Sequence, residues 1–116
     1  MSSPVKSVTW ILGIVLLVVG VIGFVNNPIL GIFQVDTVHS WVHILSGVVA
    51  ILAAASSESY ARLYLIVFGI IYGIVTIIGF VSGGSILGLF MVNMADNYLH
   101  AVIALLSLGV GFGSKK

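Results

Sequence analysis

The chain has 116 residues, 60% of them apolar and only 6% charged, against roughly 25% charged in an ordinary soluble domain. Four Lys or Arg and three Asp or Glu cannot cover a compact water-soluble body, whereas lipid favours such a surface. The expected class is therefore an integral membrane protein, in contact with membrane lipid, and the net charge of +1 without a basic run leaves no footprint for nucleic acid.

In chain order, apolar runs near the roughly 20 residues that cross a bilayer core fall at about residues 8–24, 38–55, 62–81 and 96–113. The first run is too long for the core of a cleaved signal and no small-x-small site follows Phe24, so it is expected to remain in the protein. Short connections between four spans predict a single transmembrane domain over residues 1–116, an all-α four-helix bundle. Lys6, Arg62, Lys115 and Lys116 all fall on one side of this arrangement, while residues 25–37 and 82–95 contain no Lys or Arg. Basic residues near span ends stay in the cytoplasm. Both termini and the connection from Ser56 to Arg62 are thus expected inside, as in a multi-pass protein of a plasma membrane.

The chain also repeats itself. Gly-Phe-Val occurs at 23–25 and at 79–81, and Ile29-Leu30-Gly31-Ile32-Phe33-Gln34-Val35 answers Ile86-Leu87-Gly88-Leu89-Phe90-Met91-Val92. Beyond that point an offset of 57 matches Asp36 with Asn93, His39 with Asp96, Trp41 with Tyr98 and His43 with His100, and upstream an offset of 56 matches Gly13 with Gly69. Each copy holds two spans, about residues 5–57 and 62–114, so the copies are expected to run parallel, related by a pseudo-twofold axis along the membrane normal.

Lipid gives helices no hydrophobic reason to associate, so small residues that let backbones approach are the expected seams. Gly13, Gly20, Gly47, Gly69 and Gly73 are the helix-packing candidates, with Ser46, Ala50, Ala54, Ala104, Ser107 and Gly111 on the corresponding faces. The same Gly-rich faces could join copies into a homo-oligomer. The apolar heptads 29–35 and 86–92 are too short to span, at about 10 Å as helix, and are flanked by Asn26-Asn27-Pro28 and by Ser82-Gly83-Gly84-Ser85. They are expected to lie in the outer interface or to fold back over the bundle, anchored by Phe33 and Phe90, with Trp41 and Tyr98 in the aromatic belt.

Two of the three acids and all three histidines follow these heptads, in Asp36-Thr37-Val38-His39-Ser40-Trp41-Val42-His43 and Asn93-Met94-Ala95-Asp96-Asn97-Tyr98-Leu99-His100. At about 100° per residue, His39 and His43 lie about 40° apart, as do Asp96 and His100, so each copy presents a polar stripe. The candidate cluster is Asp36, His39, His43, Asn93, Asp96, Asn97 and His100. Asp36 and Asn93 sit where N-caps belong, and Asp96 suits a first turn. His43 and His100 lie about 9 to 10 Å further in, where an ionisable residue faces the interior with a partner.

Three uses fit that pair. It could lock the hairpins together, ligate a haem or a metal with or without Asp36 and Asp96, or line an entry for protons or a small solute. Locking is the leading expectation, with no cofactor or metal required and transport by an oligomer second. Asp36, His39 and Ser40 are too close along one helix to assemble a nucleophile, base and orienter, so no enzyme is expected. Glu58 and Arg62 at i, i+4 read as a solvated turn.

Over Gly31-Ile32-Phe33-Gln34-Val35-Asp36-Thr37-Val38-His39-Ser40-Trp41-Val42-His43-Ile44-Leu45-Ser46-Gly47 and Val92-Asn93-Met94-Ala95-Asp96-Asn97-Tyr98-Leu99-His100, the chain resembles a family of small prokaryotic membrane proteins, domain of unknown function four-three-eight-three. That family carries Gly-Leu-Phe-x-Val-Asn-x-x-His-Asn-x-x-His-Leu-x-x-Gly in its first half and Asn-x-x-Asp-Asn-x-Leu-His in its second. This chain departs from it with Asp36 for the first Asn and Ser40 for the Asn after His39. The resemblance implies a four-span fold and residence in a prokaryotic plasma membrane, and it implies no activity.

Overall fold

The computed structural model describes residues 3–27 and 29–114. Pro28, one of the breakers named above, and Lys115 and Lys116, used in the orientation reading, lie outside the described residues. The order of elements is α1 (Pro4–Ile22), α2 (Thr37–Ser56), α3 (Glu58–Ser82), β1 (Ser85–Ile86), β2 (Phe90–Met91) and α4 (Met94–Gly113). The four helices are each long and apolar enough to cross a membrane.

Every helix starts on a side chain that accepts an otherwise orphan N–H. Ser3 accepts from Lys6 N (3.1 Å) with Pro4 in the first turn, Asp36 from His39 N (2.8 Å), and Ser57 from Tyr60 N (3.1 Å). At α4 the arrangement is reciprocal: Asn93 Oδ1 accepts from Asp96 N (2.8 Å) while Asp96 Oδ2 accepts from Asn93 N (2.9 Å). Ser57 alone separates α2 from α3, in extended backbone. The connection expected at 56–62 is therefore mostly helix, because the serine cap starts α3 a full turn before its apolar run.

The helices α1 and α2 pack closely along one another, as do α3 and α4, while α2 with α3 and α1 with α3 make lighter seams. Glycine sets the first of these. A Cβ at Gly47 would lie 2.7 Å from Gly13 O and Leu17 N, and one at Gly20 would lie 2.6 Å from Ile44 Cγ1 and 2.8 Å from Ser40 O. In the α3 and α4 seam, a Cβ at Gly69 would lie 2.8 Å from Leu108 Cγ, whereas one at Gly73 would meet only Ala104 Cβ at 3.9 Å. The tight glycine faces are thus occupied within the chain.

One end of the bundle gathers the start of α1, the α2 to α3 turn and the end of α4. Thr9 Oγ1 lies 3.4 Å from Ala61 O, and Arg62 Nη1 donates to Gly111 O (2.7 Å) and Ser114 O (3.1 Å). Arg62 is half-buried, and a cation on the last carbonyls of a helix complements its dipole, so it is a clasp rather than part of a solvated turn.

At the other end the two apolar heptads form tight hairpins. Ile32 N donates to Ile29 O (3.0 Å) and Leu89 N to Ile86 O (2.9 Å), and Ile29 faces Phe33 as Ile86 faces Phe90. Both central residues of each turn have positive φ, Leu30 (54°) with Gly31 (70°) and Leu87 (54°) with Gly88 (74°). That is the requirement of a type I′ turn, which Gly meets at no cost and Leu does not. Ile29, Val35, Ile86, Phe90 and Val92 are buried while Leu30 and Leu87 project outward. The heptads fold back over the bundle, with Phe90 seated inside and Phe33 half-buried.

Candidate functional site

The polar cluster forms under the hairpin end. Asp36 caps α2 with Oδ1 and accepts from Met91 N (2.9 Å) with Oδ2, while Asn93 Nδ2 donates to Ile32 O (2.8 Å). Each cap thereby braces the opposite hairpin turn. Asn27 Oδ1, accepting from Val35 N (3.0 Å), holds the first turn against its own helix start.

Beneath the caps, His39, His43 and His100 are 1%, 2% and 1% exposed. His39 and His43 lie one turn apart on α2, and His100 comes across from α4. Ring centroids are separated by 4.3 Å (His39 and His43), 5.2 Å (His39 and His100) and 5.9 Å (His43 and His100). The nitrogens in hydrogen-bonding range are Nε2 of His39 and Nε2 of His100, at 3.3 Å. It is His39, not His43, that pairs with His100. One ring nitrogen from each of the three lies within 4.8 Å of the others, whereas both nitrogens of His43 and Nδ1 of His39 and His100 are buried without a hydrogen-bond partner.

Of the other predicted residues, Asp96 is buried one turn before His100 and spends Oδ2 on the capping box. Asn97 is buried against Gly79, with Oδ1 unpaired. Asp36 and Asn93 stand at the rim as caps. The seven candidates therefore occupy one end of the bundle, in two layers: bracing caps above, imidazoles below.

Sequence reasoning missed the walls of this site. Phe90 covers His39 with centroids 4.8 Å apart, and Tyr72 of α3 lies against His100 at 5.5 Å, its hydroxyl buried and unpaired. One turn-pair below, Tyr64 donates to Ser46 O at 2.8 Å. A signal existed, since Tyr64, Phe68 and Tyr72 recur at four-residue spacing in an otherwise aliphatic span, and a buried Tyr needs a polar neighbour for its hydroxyl.

The family described as a domain of unknown function (DUF4383) matches residues 6–113, and the chain belongs to it. No curated protein and no solved structure matches the chain.

Proposed function

We propose that this member of the family is a multi-pass membrane protein that serves as a compact, non-enzymatic structural or interaction bundle, built from two parallel hairpin repeats. The observation that carries it is the inverted distribution of polarity. Large apolar side chains project from all four helices, among them Ile11, Leu52, Ile77 and Leu105 at 61 to 73% exposed, while His39, Ser40, Asp96, Asn97 and Ser107 are inside. In water such a surface would aggregate; in hydrocarbon it is the required solvent-facing side.

The repeat reading is supported by equivalent geometry at equivalent places. Leu30 and Leu87 share φ 54°, and the edge-on pairs Phe24 with Trp41 (5.6 Å) and Phe80 with Tyr98 (5.7 Å) stand at matching helix ends. With Gly13, Gly20, Gly47 and Gly69 engaged internally, association between copies would use the exposed apolar faces instead. The polar end, free of described bases, is the outer one on the positive-inside rule, and Arg62 marks the inner end.

The chain has no cysteine, so single substitutions report topology cleanly. Ser59→Cys and Gln34→Cys, each in an exposed position, are labelled in sealed cells with a membrane-impermeant maleimide. Gln34→Cys is expected to react from outside and Ser59→Cys only after permeabilisation. Equal reaction of both from one side, or release of the chain from membranes by alkaline carbonate, refutes the reading.

A further inference from the structure

The geometry points to a transition-metal site formed by His39, His43 and His100, taking a borderline divalent ion such as zinc(II) and joining the α2 side of the bundle to the α4 side.

Three features carry this. The first is spacing. Two nitrogens each about 2.0 to 2.1 Å from one ion at a tetrahedral angle are about 3.3 Å apart, and Nε2 of His39 and Nε2 of His100 are separated by 3.3 Å. One ring nitrogen from each of the three histidines lies within 4.8 Å of the others, so His43 is near enough to complete the set after adjustment of its ring. The second is the unmet polar demand. Buried ring nitrogens normally have partners, yet both of His43 and one each of His39 and His100 have none. One imidazole pair accounts for two of six nitrogens; an ion drawing on all three rings accounts for why a third histidine is present. The third is placement: an i, i+4 histidine pair on one rigid helix, completed by a residue from another, with the rings of Phe90 and Tyr72 packed against them.

Ligand chemistry selects the ion. Imidazole nitrogen suits zinc, copper and nickel, whereas calcium and magnesium require oxygen sets, and the chain offers no thiolate for a soft ion. Three protein nitrogens leave the fourth tetrahedral position to water. Asp96, buried one turn before His100, and Asp36, one turn before His39, supply the nearby negative charge that a buried cation needs. The site adds to the bundle reading and does not depend on it: maleimide labelling tests the bundle, metal retention tests the site.

The whole chain, purified in detergent with a tag free of histidine, is stripped with chelator, equilibrated with zinc chloride and desalted. Elemental analysis is expected to find one zinc per chain, lost in His43→Gln and in His100→Gln, and cobalt(II) in its place is expected to give the visible absorption of a tetrahedral site. Retention at the level of the triple variant His39→Gln, His43→Gln, His100→Gln, or retention undiminished in that variant, overturns the proposal. Should the variants fail to fold, the unchanged chain decides alone: its unfolding midpoint must rise with zinc concentration, as for any ligand of the native state, and a midpoint indifferent to zinc overturns the site.

Discussion

The seams of the bundle make opposite demands on glycines that look alike, and Gly20→Ala against Gly73→Ala tests this. At Gly20 the added methyl would lie 2.6 Å from Ile44 Cγ1, 2.8 Å from Ser40 O and 2.9 Å from Ile44 N. Ordinary carbon contacts begin near 3.5 Å, and two of these three obstacles are backbone, so α1 must retreat from α2. Overpacking of this kind costs about 1 to 3 kcal/mol, and obstruction by backbone places Gly20→Ala in the upper half of that range. Alanine returns at most about 1 kcal/mol through helix propensity, leaving a net loss of about 1 to 2 kcal/mol. At Gly73 the same methyl meets a single neighbour at 3.9 Å, so only the propensity gain and a new van der Waals contact remain, together worth up to about 1 kcal/mol of added stability. Reversible unfolding of both variants in one detergent, followed by helical circular dichroism, gives the comparison. Equal shifts, or a larger loss at Gly73, would refute the close approach of α1 to α2 at Gly20.

Substitutions at three further positions probe the ends. Asp36→Ala removes an N-cap and the acceptor for Met91 N and is expected to cost about 1 to 2 kcal/mol, whereas Asp36→Asn keeps one acceptor for the cap and should cost less than half as much in the same melts; an identical loss in both would mean that charge rather than capping matters there. Arg62→Met leaves Gly111 O and Ser114 O without this donor and is expected to cost about 1 kcal/mol, with faster hydrogen exchange confined to the last turn of α4; unchanged exchange there would deny the clasp. Leu87→Asn places a residue that tolerates the left-handed region where Leu holds φ 54° with its side chain 74% exposed, so stability in detergent should rise by about 1 kcal/mol, and a fall would show that the Leu87 side chain has a contact worth more than the strain.

Much of the fold was legible because membrane physics leaves few options. Apolar runs gave four helices, cap residues gave their starts at Asp36 and Asn93, and internal similarity pointed to the matching turns. The start of α3 was not legible, since Ser57 looks like loop until its cap is seen, and Arg62 looked solvated because its acceptors lie 49 and 52 residues away. Helical periodicity put His39, His43 and His100 on inward stripes but could not rank their pairings. Equal depth favoured His43 with His100, whereas the nitrogens within hydrogen-bonding range are those of His39 and His100. The wall residues Phe90 and Tyr72 arrive from elements distant in sequence, beyond the reach of any local pattern.

A difference between the starts of α2 and α4 bears on that outcome. His39 stands at the third position of α2, and Asp96 at the third position of α4. There a carboxylate can reach back to the cap N–H, and Asp96 does so. An imidazole at the equivalent place does not close that box; His39 turns inward to His100, and the cap residue Asp36 extends its second oxygen to Met91 N on the other hairpin. A symmetric pair of copies with two carboxylates would keep two closed capping boxes and two imidazoles, enough for one hydrogen bond and nothing more. Exchanging one carboxylate for histidine gives up half of a capping box, a feature worth about 1 kcal/mol, and places a third imidazole beside the other two. The exchange gives the bundle the contact from His39 to His100 and leaves other buried ring nitrogens without partners; a ligand drawing on three rings at once gives the third histidine a use.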